Sequence, residues 1–165
     1  YRIGFGNDIH RLEVGKPLIL GGILIESELG AVGHSDADAL THAITDAILG
    51  ALALGDIGSH FSDNDERWKN ADSFVFLREA VRLMKEKRFQ IINVDSVISL
   101  EKPKLRPHIE KMREKLKKIL EIEVDCISIK AKTGEGIDSI GRQEAIKAEA
   151  IILIESKESD KTNNL

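Results

Sequence analysis

The chain has 165 residues, 42% of them hydrophobic and 32% charged, with three prolines, which argues for one compact domain over 1–165 and against a long linker. A net charge of −4 and an aromatic content of 4% give no case for nucleic acid, an anionic membrane or a base-stacking platform as partner. The lone Cys126 excludes an internal disulfide framework. With neither a signal-like start nor a long apolar run, the chain reads as soluble and intracellular, placed in the cytoplasm or in an organelle after loss of a transit peptide.

Alternation in YRIGFGNDIH (1–10) predicts a first strand, and KPLILGGILI (16–25) a second strand segment that Gly21 and Gly22 break at a bend or bulge. Ser35 is the expected cap of a long helix, with Asp38 at its third position reaching back as in a capping box; Asp36 and Asp38 both suit a positive helix start. Leu40, Ala43, Ile44, Ala47, Ile48, Ala51 and Leu52 give that helix a wide apolar face. Trp68 falls in a polar turn. A second helix is predicted over 73–87, with Phe74, Leu77, Val81 and Met84 inward, then a strand over 93–100. Pro107 suits the first turn of a third helix, RPHIEKMREKLKKIL, and DCISIKAKT and AIKAEAIILIE complete the strands before a polar tail expected to fray over 157–165. Strands alternating with helices predict an α/β sandwich of one sheet with covering helices.

Between Lys16 and Arg67 there is no Lys or Arg, while acids are frequent: this is either a solvated acidic face or a region that a cation partly neutralises. On the long helix, Asp38, His42 and Asp46 follow one another at four-residue spacing and form one polar ridge; on the first strand, the period of two puts Asp8 and His10 on one face. Packed together, strand and helix would bring Asp8, His10 and His42 to one ion. Two imidazoles and one carboxylate leave a fourth tetrahedral position open, as in catalytic zinc sites, with Asp46 the candidate to hold the second nitrogen of His42. The plain alternative is that Asp8 and His10 are a surface or hydrogen-bonded pair. His60 and His108 read as surface histidines. His34 precedes the expected cap, where it either closes the turn or faces an anion at the helix start. In KAKTGEG (130–136) the backbone N–H groups and the Thr133 hydroxyl suit a phosphate, although Gly134 and Gly136 equally suit a turn. Glu135 would repel phosphate unless Mg²⁺ bridged them. Arg142 and Glu144 are expected on the last strand, aimed to one side, where a symmetric interface would pair them between subunits.

The blocks GNDIHRL, LGGILI, GHSDADALTHAITDAILGALALGDIGSHFSDND, ADS, NVD, KPKLRPHI, IKAKTGEG and IGRQEAI resemble, in order and spacing, the 2-C-methyl-D-erythritol 2,4-cyclodiphosphate synthase family of the non-mevalonate isoprenoid pathway. The resemblance implies an α/β (α+β) subunit whose single mixed sheet of four to five strands is covered by helices on one side, the sheets forming a central prism in a homotrimer. It implies a lyase that converts 4-diphosphocytidyl-2-C-methyl-D-erythritol 2-phosphate to the cyclic diphosphate and CMP. Zinc would be held by Asp8, His10 and His42, and Mg²⁺ or Mn²⁺ by Glu135. His34 and Thr133 would be catalytic. Ser35, Asp56, Gly58 and Asp63 would hold the erythritol and phosphate part of the substrate, while Lys104, Leu105, Ala131, Lys132 and Thr133 would hold the cytidine end from a neighbouring subunit, and Arg142 and Glu144 would line the trimer channel. Two other readings use the same residues: a zinc-dependent phosphohydrolase, whose open metal position activates water, and a non-catalytic trimeric ligand-binding protein with a structural metal.

Overall fold

A computed structural model describes residues 1–62 and 64–157; Asp63 and the expected frayed tail from 158 onward lie outside them. In chain order the elements are β1 (Arg2–Val14), β2 (Leu18–Leu20), β3 (Ile23–Ile25), β4 (Leu29–Val32), α1 (Ala39–Ala51), the short α2 (Ile57–His60), α3 (Phe74–Glu86), β5 (Phe89–Ser99), α4 (Ile109–Leu120), β6 (Ile127–Lys132), the short α5 (Asp138–Gly141) and β7 (Ala145–Ser156). Five strands form one mixed sheet in the order β4-β1-β7-β5-β6, antiparallel except for the β5–β6 pair. The α/β expectation holds, with five strands. Among the described residues, no helix is long and apolar enough to cross a membrane.

The period of two on β1 sorts its side chains cleanly. Gly4, Gly6, Asp8, His10 and Leu12 alternate with Ile3, Phe5 and Ile9, which are 72%, 55% and 57% exposed. Helix α1 lies on the first set. A Cβ on Gly4 would stand 1.8 Å from the Ala47 carbonyl oxygen, and one on Gly6 2.0 Å from that of Ala43, so only glycine lets the helix backbone rest directly on the strand. Leu40, Ile44 and Ile48 of α1 are fully buried with Ile146, Ile152 and Ile154 of β7, and Leu77, Met112 and Leu116 extend this core to α3 and α4. Each such side chain contributes about 1.5–3 kcal/mol by leaving water. The other sheet face carries Ile3, Phe5, Ile9 and the half-exposed Ile151, uncovered among the described residues.

Of the expected bend or bulge, Gly21 and Gly22 form the bend: both have positive φ (+54° and +70°) and make the two-residue turn of a separate hairpin, β2–β3. Two expectations are corrected. The cap of α1 is Asp38, not Ser35, because the buried hairpin turn needs an acceptor. The Asp38 carboxylate takes the N–H groups of Gly21 (3.0 Å), Gly22 (2.8 Å) and Thr41 (3.0 Å) and the Thr41 hydroxyl (2.7 Å), tying hairpin and helix together. Arg142 and Glu144 precede β7 instead of lying on it. The chain turns at Gln143, with φ +58°, and the two pair with each other inside one chain at 3.0 and 3.1 Å.

Candidate functional site

The glycine-mediated contact between β1 and α1 decides the site. His42 precedes Ala43, the residue seated over Gly6, and its ring therefore reaches the β1 face where Asp8 and His10 emerge. Asp8 Oδ2 lies 2.8 Å from His10 Nε2 and 3.0 Å from His42 Nδ1, and the two ring nitrogens are 3.2 Å apart. These three atoms form a nearly equilateral triangle. A tetrahedral ion with bonds of 2.0–2.1 Å requires ligand separations of about 3.3 Å, so the set fits zinc by spacing as well as by its N₂O chemistry. Among the described residues, this is the one group of three or more such side chains that could hold a metal.

The supporting bonds fix both rings. His10 donates from Nδ1 to the Val32 carbonyl (2.9 Å), which leaves Nε2 for the ion. His42 Nε2 lies 2.8 Å from Ser73 Oγ and 3.1 Å from Ser35 Oγ, leaving Nδ1. Asp46 does not serve His42 as expected: it takes the Ile57 N–H (2.7 Å) at the start of α2, where an unpaired donor waits. Asp38 likewise leaves the predicted polar ridge for the hairpin turn. Burial opposes ionisation of Asp8, but hydrogen bonds and charge from His10 and His42 outweigh it and hold its carboxyl well below the usual range. Burial would lower His10, and the hydrogen bond and charge of Asp8 raise it instead. Burial pushes Asp38 and Asp46 upward.

The triad lies on the wall of a cavity of about 300 Å³ that Gly33, His34 and Ser35 also line. His34 serves its turn as well, donating from Nε2 to the Asp65 carbonyl (3.2 Å) while its own carbonyl accepts the Asn70 N–H. The remaining wall is apolar: Ile57, Phe61, Trp68 and Phe76, with Phe61 packed on Phe76 (ring centroids 4.7 Å apart) and edge-on to Trp68 (5.2 Å). Trp68 is thus part of an aromatic wall and not simply of a polar turn. Its spacing from Phe61 and Phe76 carries no helical or strand period, so pattern reading had no means to join them.

Asp56 caps α2, accepting the Ser59 N–H (2.8 Å) and hydroxyl (2.6 Å), and with Gly58 it flanks the cavity residue Ile57. Asp63 lies outside the described residues. None of Lys104, Leu105, Ala131, Lys132, Thr133 and Glu135 lines this cavity. Ala131 and Lys132 border a separate cleft of about 530 Å³ beside Arg106, and Lys104 borders another beside Pro103 and Gln143. Leu105 is only 3% exposed, main chain included, and packs in the core. Thr133 donates to Glu135 (2.7 Å) on the loop after β6. Ser73 and Asp36 are the polar residues whose role at the site sequence reasoning missed; a serine before a helix signals a cap, and nothing in its position announces a histidine partner.

The YgbB family model matches residues 1–155. A 2-C-methyl-D-erythritol 2,4-cyclodiphosphate synthase of Synechococcus elongatus is 54% identical over 154 residues, 93% of this chain and 96% of that protein. A solved 2C-methyl-D-erythritol-2,4-cyclodiphosphate synthase, in a form bound to CDP, superimposes with a TM-score of 0.87 at 44% identity, covering 93% of this chain and all of that one. The Plasmodium falciparum IspF complex with CDP gives a TM-score of 0.84 at 38% identity over 95% and 97% of the two chains. Sequence and fold agree over nearly the same span, and the chain belongs to the YgbB family, alongside the 2-C-methyl-D-erythritol 2,4-cyclodiphosphate synthases.

Proposed function

We propose that this chain, acting over 1–165 as one catalytic domain, converts 4-diphosphocytidyl-2-C-methyl-D-erythritol 2-phosphate to 2-C-methyl-D-erythritol 2,4-cyclodiphosphate and CMP, a phosphorus–oxygen lyase step in isoprenoid precursor synthesis. The observation that carries this is the triangle of Asp8, His10 and His42 on a cavity wall, in a chain 54% identical over most of its length to a protein of that name. Asp8, His10 and His42 hold zinc, and Glu135 holds Mg²⁺ or Mn²⁺. These ions supply charge neutralisation and Lewis acidity toward phosphate oxygens.

The chemistry is intramolecular. An oxygen of the 2-phosphate attacks the β-phosphorus, the bond from that phosphorus to the α-phosphate oxygen breaks, and CMP leaves with the electron pair. No side-chain nucleophile is required, so the protein's work is to hold two anionic ends in line and exclude water. Ser35 and His34 hold the phosphate end beside the triad, with Asp56, Gly58 and Asp63 on the erythritol side. Lys104, Leu105, Ala131, Lys132 and Thr133 hold the cytidine diphosphate end.

The same reading makes the functional unit a homotrimer in which a neighbouring subunit completes each site, the sheets meet as a central prism and Arg142 and Glu144 border the channel. The exposed Ile3, Phe5, Ile9 and Ile151 support it, since such a sheet face is suited to burial against other copies. The separation of the metal cavity from the clefts at Ala131 and Lys104 supports it too. The compartment follows as the cytoplasm, or an organelle.

The test is incubation with the cytidyl substrate, Zn²⁺ and Mg²⁺, followed by mass spectrometry. CMP and cyclic diphosphate are expected in equal amounts. Orthophosphate without cyclic product would make the protein a phosphohydrolase and refute the proposal; stoichiometric zinc with no turnover would make it a ligand-binding protein.

A further inference from the structure

Ser73 occupies the N-cap of α3, where a serine hydroxyl ordinarily accepts an N–H of its own helix, yet it makes no such bond. The fully buried hydroxyl instead lies 2.8 Å from His42 Nε2 and donates to Asp36 Oδ1. Asp36 is itself held in place, taking the Ser73 N–H on Oδ2 (3.1 Å) and the Asp38 N–H on Oδ1 (3.2 Å). A hydroxyl has one proton to give. With it directed to Asp36, Ser73 Oγ can only accept from the imidazole, which draws a His42 proton to Nε2, against Asp8 Oδ2, which stands 3.0 Å from Nδ1 and competes for a proton there. Ser35 Oγ is the weaker candidate for this bond: it stands farther away, at 3.1 Å, in a half-buried position, and accepts the Ala37 N–H.

We infer that Asp36 and Ser73 are positioning residues that select the His42 tautomer able to bind a metal through Nδ1. The arrangement links three segments, the loop before α1, α1 itself and the start of α3, so the metal site depends on the docking of a helix that supplies no ligand. This rests on the triad being a metal centre, and not on which reaction the centre serves.

The test uses Ser73→Ala, Asp36→Asn, their double variant and Ser35→Ala in the full chain, with circular dichroism to verify folding. Zinc affinity is measured by chelator competition, and the His42 tautomer of the metal-free protein by long-range ¹H–¹⁵N NMR. Wild type is expected to show the Nε2–H form, which Ser73→Ala converts to a mixture. Each single variant at 73 or 36 is expected to lose about 10–100-fold in zinc affinity, and the double variant no more than the larger single loss, because the two act as one unit. Ser35→Ala is expected to lose less than Ser73→Ala. An Nδ1–H wild type, affinities of folded variants within about twofold of wild type, fully additive losses, or a larger loss in Ser35→Ala would each overturn the inference. Should Asp36→Asn fail to fold, Ser73→Ala decides alone, since its hydroxyl caps nothing in α3. A wild type that binds no zinc would refute the metal centre itself.

Discussion

Gly6→Ala is the most direct test of how the fold builds the candidate metal site. The added Cβ would stand 2.0 Å from the Ala43 carbonyl oxygen and 2.7 Å from the Ala47 nitrogen, and both are helix backbone with no flexible end to give way. Real Cβ contacts do not fall below 3.0 Å, so α1 must move off β1 by about 1 Å. His42 adjoins Ala43 and moves with it. The triangle of ligands tolerates about 0.2 Å, so the displacement is several times what a zinc site accepts. Overpacking of this kind costs about 3 kcal/mol, a fall of roughly 6–12 °C in melting temperature for a chain of this size. Misplacement by about 1 Å is expected to lower turnover about 100-fold, with zinc affinity falling alongside. Urea unfolding, chelator competition and turnover measure the three effects. Gly15→Ala is the control: its φ of +77° makes alanine strained at a cost of about 1 kcal/mol, but nothing lies within 4 Å of the new Cβ and the metal site is untouched. A folded Gly6→Ala protein with wild-type zinc affinity would refute the claim that backbone contact at this glycine aligns the ligands.

Zinc should raise the melting temperature more at pH 8 than at pH 6. In the metal-free protein the raised pKa of His10 contributes stability that is present below 6.5 and lost as pH rises through the raised value. The depressed pKa of Asp8 contributes above 3.8 and is lost as pH falls through the lowered value, so the pair stabilises that form best between these limits, while zinc needs His10 without its proton. A zinc-induced shift that does not change with pH contradicts this. Glu135→Gln keeps shape and removes charge, and is expected to weaken dependence on added Mg²⁺ severalfold while zinc content stays at the wild-type level; an unchanged Mg²⁺ titration removes Glu135 from the mechanism. His42→Ala and the double variant Lys104→Ala, Thr133→Ala should each be nearly inactive, yet recover part of the activity when refolded together. If mass spectrometry shows hybrid trimers and activity stays absent, each site is built within one chain.

Much of the fold can be read from local pattern. The periods of α3 and α4, the run of β7 and the apolar face of α1 each follow from side chains that a single element must bury. The pairing of Asp8 with His10 follows from the strand period alone, and the ordered blocks around it are enough to identify the family. Elements whose meaning lies in a partner were less accessible. β4 is four residues long, too short for a pattern, and becomes a strand only by pairing with the end of β1. Asp38 looks like a helix-face carboxylate until the hairpin turn across from it supplies two N–H groups.

The sequence by itself determined which side chains could bind a metal, because ligand chemistry and strand period are local properties. Only the tertiary structure decided that the three candidate ligands meet and which atoms they present. Gly4 and Gly6 set how closely α1 approaches β1, and Ser73, brought by a different helix, takes the nitrogen of His42 that helix spacing had assigned to Asp46. A hydrogen bond goes to whichever partner the packing brings within about 3 Å, and that distance is a property of how two elements dock, which neither encodes alone.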